Sequence, residues 1–290
     1  MTAHEALIQK GRQVRYGVFL PNFGPFGDPG LIGELAARAE AAGWDGFFIW
    51  DHVLFSATDT FAVADPWISL AAAAAATGKV RLGALMTPLS RRRPWQVARQ
   101  TVSLDHLSGG RLIFGAALGY PPDADFALFG EEHADRARAR RLDEGLELLD
   151  RLWSGEQVTF TGEEYRVGPV TFQPTPVQQP RIPVWVAGWW PNRAPLRRAA
   201  RWDGVVPELI GGGVPSVRDL AALVAYVSER REPSRAFDVV VNGPDCWDRQ
   251  DVMPDYAEAG LTWWLERIAP DRAFSAAEAI SLIDRKPPGH

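Results

Sequence analysis

Cysteine is almost missing from this chain. Cys246 stands alone among 290 residues, so neither an intramolecular disulfide nor a Cys-based metal cluster can form. A reducing compartment is therefore expected. Long hydrophobic runs are missing too. The longest, Ile68 to Ala76 around one serine, falls well short of the roughly 20 residues that span a bilayer. The polar stretch Met1 to Arg15 has no apolar signal core. The expectation is a cytoplasmic protein with no membrane segment. An excess of positive charge is also lacking, because 31 Lys and Arg face 36 Asp and Glu, a net charge of −5. Without a broad basic surface, nucleic acid is excluded as an expected partner. Histidine occurs only five times and in no ligand cluster, so no catalytic metal is expected. No G-x-S-x-G elbow and no Cys–His arrangement supports a serine or cysteine nucleophile.

What the chain does have is 46% hydrophobic residues in an ordered pattern, enough for one or two full cores. Eight short apolar runs, Tyr16–Pro21, Gly46–Trp50, Val80–Met86, Leu112–Leu118, Pro183–Ala187, Gly204–Pro207, Phe237–Asn242 and Leu261–Leu265, alternate with helical patterns. Leu31, Leu35, Ala39 and Ala42 mark one helix stopped by Gly43. Asp65-Pro66 caps another, and Pro94 opens a third that Gly109-Gly110 closes. Strand–helix repetition of this kind builds parallel sheets. No Gly/Ser-rich linker divides it, so the prediction is an α/β protein with one (β/α)8 barrel over residues 1–290.

The regular spacing breaks once, at about residues 119–182 between strands four and five. There a charged helix, Ala134 to Trp153, carries Leu142, Leu146 and Leu149 on one stripe, and Thr159 to Phe172 reads as a short β excursion. An insertion there can cover substrate or serve as an oligomer arm, and the sequence leaves both open. A small internal echo, Trp44-Asp45-Gly46 and Trp202-Asp203-Gly204, precedes strands two and six.

Barrels place working residues at the carboxyl ends of strands. Of the histidines, His52 alone sits at such an end beside an acid, Asp51, and imidazole suits proton transfer near neutrality. Neighbours in extended chain point oppositely, so the two side chains need not touch. After strand five, Gly188 and a helix start with Asn192 and Arg193 suggest a phosphate site, with Arg197 and Arg198 read as solvated helix charges. Arg91, Arg92 and Arg93 are either anion ligands or a solvated run. Trp50, Trp189 and Trp190 offer flat faces for a planar cofactor, whereas Trp185 reads as core. Gly24, Gly27 and Gly30, spaced G-x-x-G-x-x-G and stiffened by Pro25 and Pro29, do not make a dinucleotide fingerprint. So sparse a rim suits chemistry carried by an organic cofactor.

Six segments together resemble the bacterial luciferase-like monooxygenase family: Gly17-Val-Phe-Leu-Pro, Ala41-Ala-Gly-Trp-Asp-Gly, Trp50-Asp-His, Leu82-Gly-Ala-Leu-Met-Thr-Pro-Leu-Ser-Arg-Arg-Arg-Pro-Trp, Leu104-Asp-His-Leu-Ser-Gly-Gly-Arg-Leu and Pro183-Val-Trp-Val-Ala-Gly. The resemblance implies a TIM barrel that binds reduced FMN or the deazaflavin coenzyme F420 at its carboxyl rim. It implies first a monooxygenase using reduced FMN and O2 on a small apolar or aromatic substrate. The alternatives are F420-dependent hydride transfer and a non-catalytic flavin-binding subunit. By the same resemblance Ala84, Leu85, Met86 and Thr87 back the flavin ring, often through a strained non-prolyl cis peptide. Gly188, Trp189, Trp190, Asn192 and Arg193 occupy the cofactor-binding segment, where the family often has Gly-Ser or Gly-Gly. His52 takes the proton-handling position, and Phe23, Trp50 and Tyr120 are the expected substrate contacts. Tyr120 stands where some F420-dependent relatives carry Glu, which speaks against sugar-phosphate dehydrogenation. The expected partners are the small-molecule substrate, a separate flavin reductase for the FMN route, and a second copy in a homodimer.

Overall fold

A computed structural model describes residues 13–232, 235–268 and 275–289. All eight apolar runs are strands: β1 (Arg15–Leu20), β2 (Gly46–Ile49), β3 (Arg81–Ala84) with its two-residue continuation β4 (Thr87–Pro88), β5 (Phe114–Ala117), β8 (Val184–Trp190), β9 (Gly204–Leu209), β10 (Asp238–Gly243) and β11 (Trp263–Arg267). They hydrogen-bond in the order β3-β2-β1-β11-β10-β9-β8-β5-β4, every pairing parallel. A parallel bridge between Leu82 and Leu112 joins the two ends, with Ile113 N donating to Leu82 O at 2.8 Å. The result is a TIM barrel. Gly83 is needed at that seam, since a Cβ there would run into the Ile113 carbonyl.

The strands are apolar on both faces because each face is buried against something different. Outward residues such as Val18, Leu20, Phe47, Ile49, Val205, Val239 and Val241 pack beneath the helices. Inward residues such as Phe19, Phe48, Trp185, Val206, Val240, Trp263 and Leu265 fill the barrel. Phe48, Trp185 and Trp263 meet with ring centroids 5.5–5.8 Å apart and form a fully buried aromatic plug. That plug is the floor of the site described below.

The predicted helix signals act as expected. In α1 (Pro29–Ala42) the predicted stop Gly43, at φ 94°, ends the helix in the left-handed conformation, and Asp28, not singled out from sequence, caps its start. Asp65 Oδ1 accepts from the Trp67 and Ile68 amides at the start of α2 (Pro66–Ala76), and Gly109 closes α3 (Pro94–Ser108). The remaining helices are α4 (Pro122–Asp125), α5 (Asp135–Trp153), α6 (Arg193–Ala199), α7 (Val217–Ser228), α8 (Met253–Glu258) and α9 (Ala276–Ile283). The leucine stripe of α5 is buried, and Trp153 Nε1 donates to Thr101 Oγ1 of α3 at 3.0 Å. The barrel side of the molecule thus takes up this stripe. The β excursion is an antiparallel hairpin, β6 (Gln157–Thr161) and β7 (Arg166–Thr171). Among the described residues no helix is long and apolar enough to cross a membrane.

The internal echo has a structural counterpart. Asp45 N donates to Tyr16 O while its carboxylate accepts from Tyr16 N, both at 2.8 Å. Asp203 makes the same two bonds to Val184, both at 2.9 Å. The following strand attaches alike, with Arg81 N on Asp45 O and Asp238 N on Asp203 O. The repeated Trp-Asp-Gly therefore locks β1 to β2 and β8 to β9 by one device.

Candidate active site

At the carboxyl ends of the strands, above the aromatic plug, the barrel opens into a cavity of about 480 Å³. That lies within the roughly 300–1,000 Å³ usual for small-molecule sites. Its lower wall is apolar, from Phe19, Leu85, Ala117 and Ala187, and polar groups enter from the rim. Strand alternation decides which residues reach it: inward positions continue upward from the plug, and the last inward residue of each strand faces the cavity.

His52, just past β2, is the residue most firmly built into this wall. The buried Asn22 clasps its backbone, donating from Nδ2 to His52 O at 2.8 Å and accepting His52 N on Oδ1 at 3.1 Å. The ring's partner is not Asp51 but Asp125, at the end of α4, whose Oδ2 lies 3.5 Å from His52 Nδ1. Asp125 is itself pinned: Oδ1 accepts from the Val53 and Leu54 amides and lies 2.5 Å from Arg91 Nη1. Burial pushes the Asp125 carboxyl up, but the His52 ring, the Arg91 guanidinium and the Val53 amide outweigh it and hold the group below the usual carboxylate range. Its ionised form orients His52 with Nδ1 toward the acid, leaving Nε2 for the cavity.

Asp51 has a different task. Its carboxylate is gripped by Arg91 Nη2 at 2.9 Å and by Arg92 through Nε at 3.0 Å and Nη2 at 2.7 Å. Arg91 and Arg92 are thus neither ligands for an external anion nor a solvated run. They neutralise two carboxylates of the chain itself, and Arg93 stands apart over the Trp95 ring.

The wall four strands away from His52 is polar as well. Glu208 (β9), Asn242 (β10) and Arg267 (β11) are the last inward residues of consecutive strands, and all three line the cavity. Asn242 Nδ2 donates to Glu208 Oε1 at 2.6 Å. Burial raises the Glu208 carboxyl above its ordinary range, against the opposing pull of Asn242 and Arg267.

The expected site residues divide. His52, Trp50, Leu85, Met86, Gly188, Trp189 and Tyr120 line the cavity; Ala84, Thr87, Phe23, Trp190, Asn192 and Arg193 do not. Ala84 points outward into the helix-covered core and Thr87 is buried in the wall. Phe23 is 1% exposed and sits behind the site, packed edge-on to Trp50 and His52 and stacked on Phe61. Trp190 faces the outer core with Nε1 on Asp219, and Arg193 lies over the Trp190 and Tyr226 rings. The exposed Asn192 stays outside because α6 turns its other face inward: Pro195 and Arg198 reach the cavity beside Gly188. Arg198 is therefore no solvated charge; its side chain is 10% exposed and pairs bidentately with Asp143 of α5 at 2.6 and 2.9 Å. Between β3 and β4 the non-prolyl cis peptide expected from the family is replaced by Met86 at φ 70°; the cis bonds among the described residues all precede proline. A left-handed methionine costs about 1–3 kcal/mol and recurs where function fixes the backbone. Asp125, Glu208, Asn242, Arg198 and Arg267 were not assigned to the site from sequence. Glu208 and Arg267 did carry a signal as polar residues ending apolar strands, whereas Asp125 lies in the irregular insertion and had none.

The profile of the luciferase-like monooxygenase family matches residues 14–278. The chain belongs to that family. The luciferase-like chain is 33% identical over 215 residues to an F420-dependent glucose-6-phosphate dehydrogenase of Nakamurella multipartita, covering 72% of this chain and 60% of that one. It is 30% identical over 299 residues to 4-hydroxyprotoasukamycin monooxygenase of Streptomyces nodosus subsp. asukaensis, covering 94% and 78%. The coenzyme F420-dependent tetrahydromethanopterin reductase of Methanopyrus kandleri shares the fold, with TM-score 0.72, 18% identity and coverage of 95% and 98%. Both expected cofactors occur among such proteins, F420 in these two F420-dependent enzymes and FMN in a type II Baeyer–Villiger monooxygenase solved with it.

The luciferase-like cavity fits a planar ring of this type. Its floor is apolar, and Trp50 Nε1 is a buried donor without a partner in the wall. Leu85 and the left-handed Met86 form a backbone shelf on one side. Arg198, beside Gly188, spends Nε and Nη2 on Asp143 but keeps Nη1 for an anionic tail, and Arg267 is a second cation in the lining.

Proposed function

We propose that this chain is an oxidoreductase that exchanges hydride between coenzyme F420 and a small organic substrate, with His52 as the residue that moves the proton. The observation that carries this reading is the pairing of His52 with the buried Asp125 at the cavity wall. When bound, the cofactor supplies the hydride-accepting or hydride-donating ring. The chain's own residues do the rest. Asn22 and Asp125 hold the imidazole, whose free nitrogen takes the proton of a substrate hydroxyl, or returns it to a carbonyl oxygen in the reverse direction. The apolar floor excludes water from the reacting carbon. Leu85, Met86 and Trp50 hold the ring, and Arg198 beside Gly188 holds its anionic tail.

A second reading, monooxygenation by reduced FMN and O2, is favoured by the similarity to the Streptomyces monooxygenase over 94% of the chain. It brings with it a separate reductase that supplies reduced FMN. A homodimer and a cytoplasmic setting complete either proposal.

Fluorescence titration with FMN and F420, oxidised and anaerobically reduced, tests the choice. Preferential binding of F420 is the expected result, and tight binding of reduced FMN alone, with oxygen uptake, selects the second reading. His52→Ala should abolish turnover while cofactor affinity stays within several-fold; undiminished turnover removes His52 from the mechanism.

A further inference from the structure

Arg198 and Arg267 both line the cavity, and they differ in what the chain gives them to hold. Arg198 spends Nε and Nη2 on Asp143. Arg267, the last inward residue of β11, is half-buried, and among the described residues no hydrogen bond, ion pair or aromatic ring engages its guanidinium. Glu208 is close enough to feel its charge, but no hydrogen bond or ion pair joins the two, and Asn242 on the intervening strand β10 holds Glu208 instead. A guanidinium stays charged at every working pH and has donors only, set in a planar fork. Whichever form Glu208 takes, those donors have no acceptor in the described chain.

The position of Arg267 around the barrel separates it from the groups assigned to the cofactor. The shelf of Leu85 and Met86 follows β3 and Arg198 follows β8, whereas β11 is joined through β1 to β2, the strand that leads to His52. Phe19 of β1 pairs in register with Arg267 and lines the wall between the cation and the imidazole. Two strand spacings put the backbones of the two strands roughly 10 Å apart. Both side chains line the cavity, so one small molecule reaches both.

The geometry points to Arg267 as the binding site for a carboxylate of the substrate, which makes the molecule handled beside His52 a small hydroxy or oxo acid with an apolar body. This inference rests on the reading of the cavity as a hydride-transfer site. On oxidation the carbinol hydride goes to the bound ring and the hydroxyl proton to His52 Nε2, leaving a carbonyl; the carboxylate is unchanged and fixes the orientation. A wholly neutral substrate is disfavoured, because it displaces water from the guanidinium and returns no charge. A carboxylate meets the fork with two parallel charge-assisted hydrogen bonds.

Ligand-observed NMR with cyclohexanecarboxylate and with cyclohexanecarboxamide, a neutral probe of the same shape, tests this. The wild type should prefer the acid by about tenfold or more, the effect of a hydrogen bond to a charged group. The preference should vanish in Arg267→Gln and survive in part in Arg267→Lys, which keeps the charge without the fork, with circular dichroism confirming that both are folded. Equal binding of the two probes by wild type, no detectable binding of the acid, or a preference kept in Arg267→Gln and lost in Arg198→Ala overturns the proposal. The competing source of an anion is the cofactor's tail. Fluorescence titration with F420 should give Arg267→Gln the wild-type affinity; a loss of about tenfold there assigns Arg267 to the tail and also overturns the proposal. Failure of turnover with both cofactors would defeat the functional proposal but leave the probe preference standing.

Discussion

Replacing Asp125 by Asn separates the charge of this buried acid from its shape. The amide keeps an oxygen for the Val53 and Leu54 amides, which now bond to Asp125 Oδ1 at 2.9 and 3.3 Å. The negative charge is what disappears. In the wild type Arg91, Arg92, Asp51 and Asp125 form a neutral set, with side chains 8%, 16%, 0% and 0% exposed. In the Asp125→Asn variant, two guanidinium groups share one carboxylate in a dry environment. Removing one partner of a buried pair costs about 3–5 kcal/mol, and at roughly 2–4 °C per kcal/mol for a large domain the fall in Tm is on the order of 10 °C. The pH dependence gives a second signature. The folded-state carboxyl of Asp125 sits below its ordinary value, so in acid the unfolded chain binds more protons than the folded one. Its contribution is complete above the unfolded value of about 3.9 and is lost as pH falls through the lower folded value. Thermal unfolding followed by circular dichroism over a pH series should therefore show a wide gap between wild type and Asp125→Asn near neutrality that narrows in acid. A gap below about 2 °C at neutral pH, less than 1 kcal/mol, would refute the claim that the pair is buried and coupled.

Other outcomes follow from the geometry. Arg198→Ala should weaken binding of the cofactor's anionic tail by about 1.5–3 kcal/mol, the loss of one charged hydrogen bond, while Arg193→Ala leaves affinity unchanged. Equal losses in a parallel titration would place the tail on the wrong face of α6. Gly83→Ala should lower thermal stability by several degrees, because the new methyl meets the Ile113 carbonyl at the seam where the barrel closes. Wild-type stability in that variant would mean the seam opens without cost. His52→Ala, with turnover and cofactor affinity measured separately, completes the set.

The sequence by itself determined the barrel. Eight runs apolar on both faces, helices punctuated by Gly43, Asp65 and Gly109, and the paired Trp-Asp-Gly turns are local patterns, and local patterns survive folding. Position at a strand end was also legible, which is why His52, Trp50 and Gly188 were singled out, whereas Leu85 and Met86 came from the family resemblance; all five line the cavity. Direction was harder. Trp189 and Trp190 are neighbours, yet the alternation of β8 sends one to the cavity and the other to Asp219. Arg193 and Arg198 lie on one short helix, and the helical turn gives only the second to the site.

Only the tertiary structure decided the partners. Asp51 is adjacent to His52 in sequence but is held by Arg91 and Arg92, and the acid beside the imidazole is Asp125, far along the chain in the irregular insertion. Glu208, Asn242 and Arg267 come from three strands far apart in sequence and meet because the barrel closes in a fixed register. Pairings across such distances depend on where the whole sheet closes, and no local spacing encodes that.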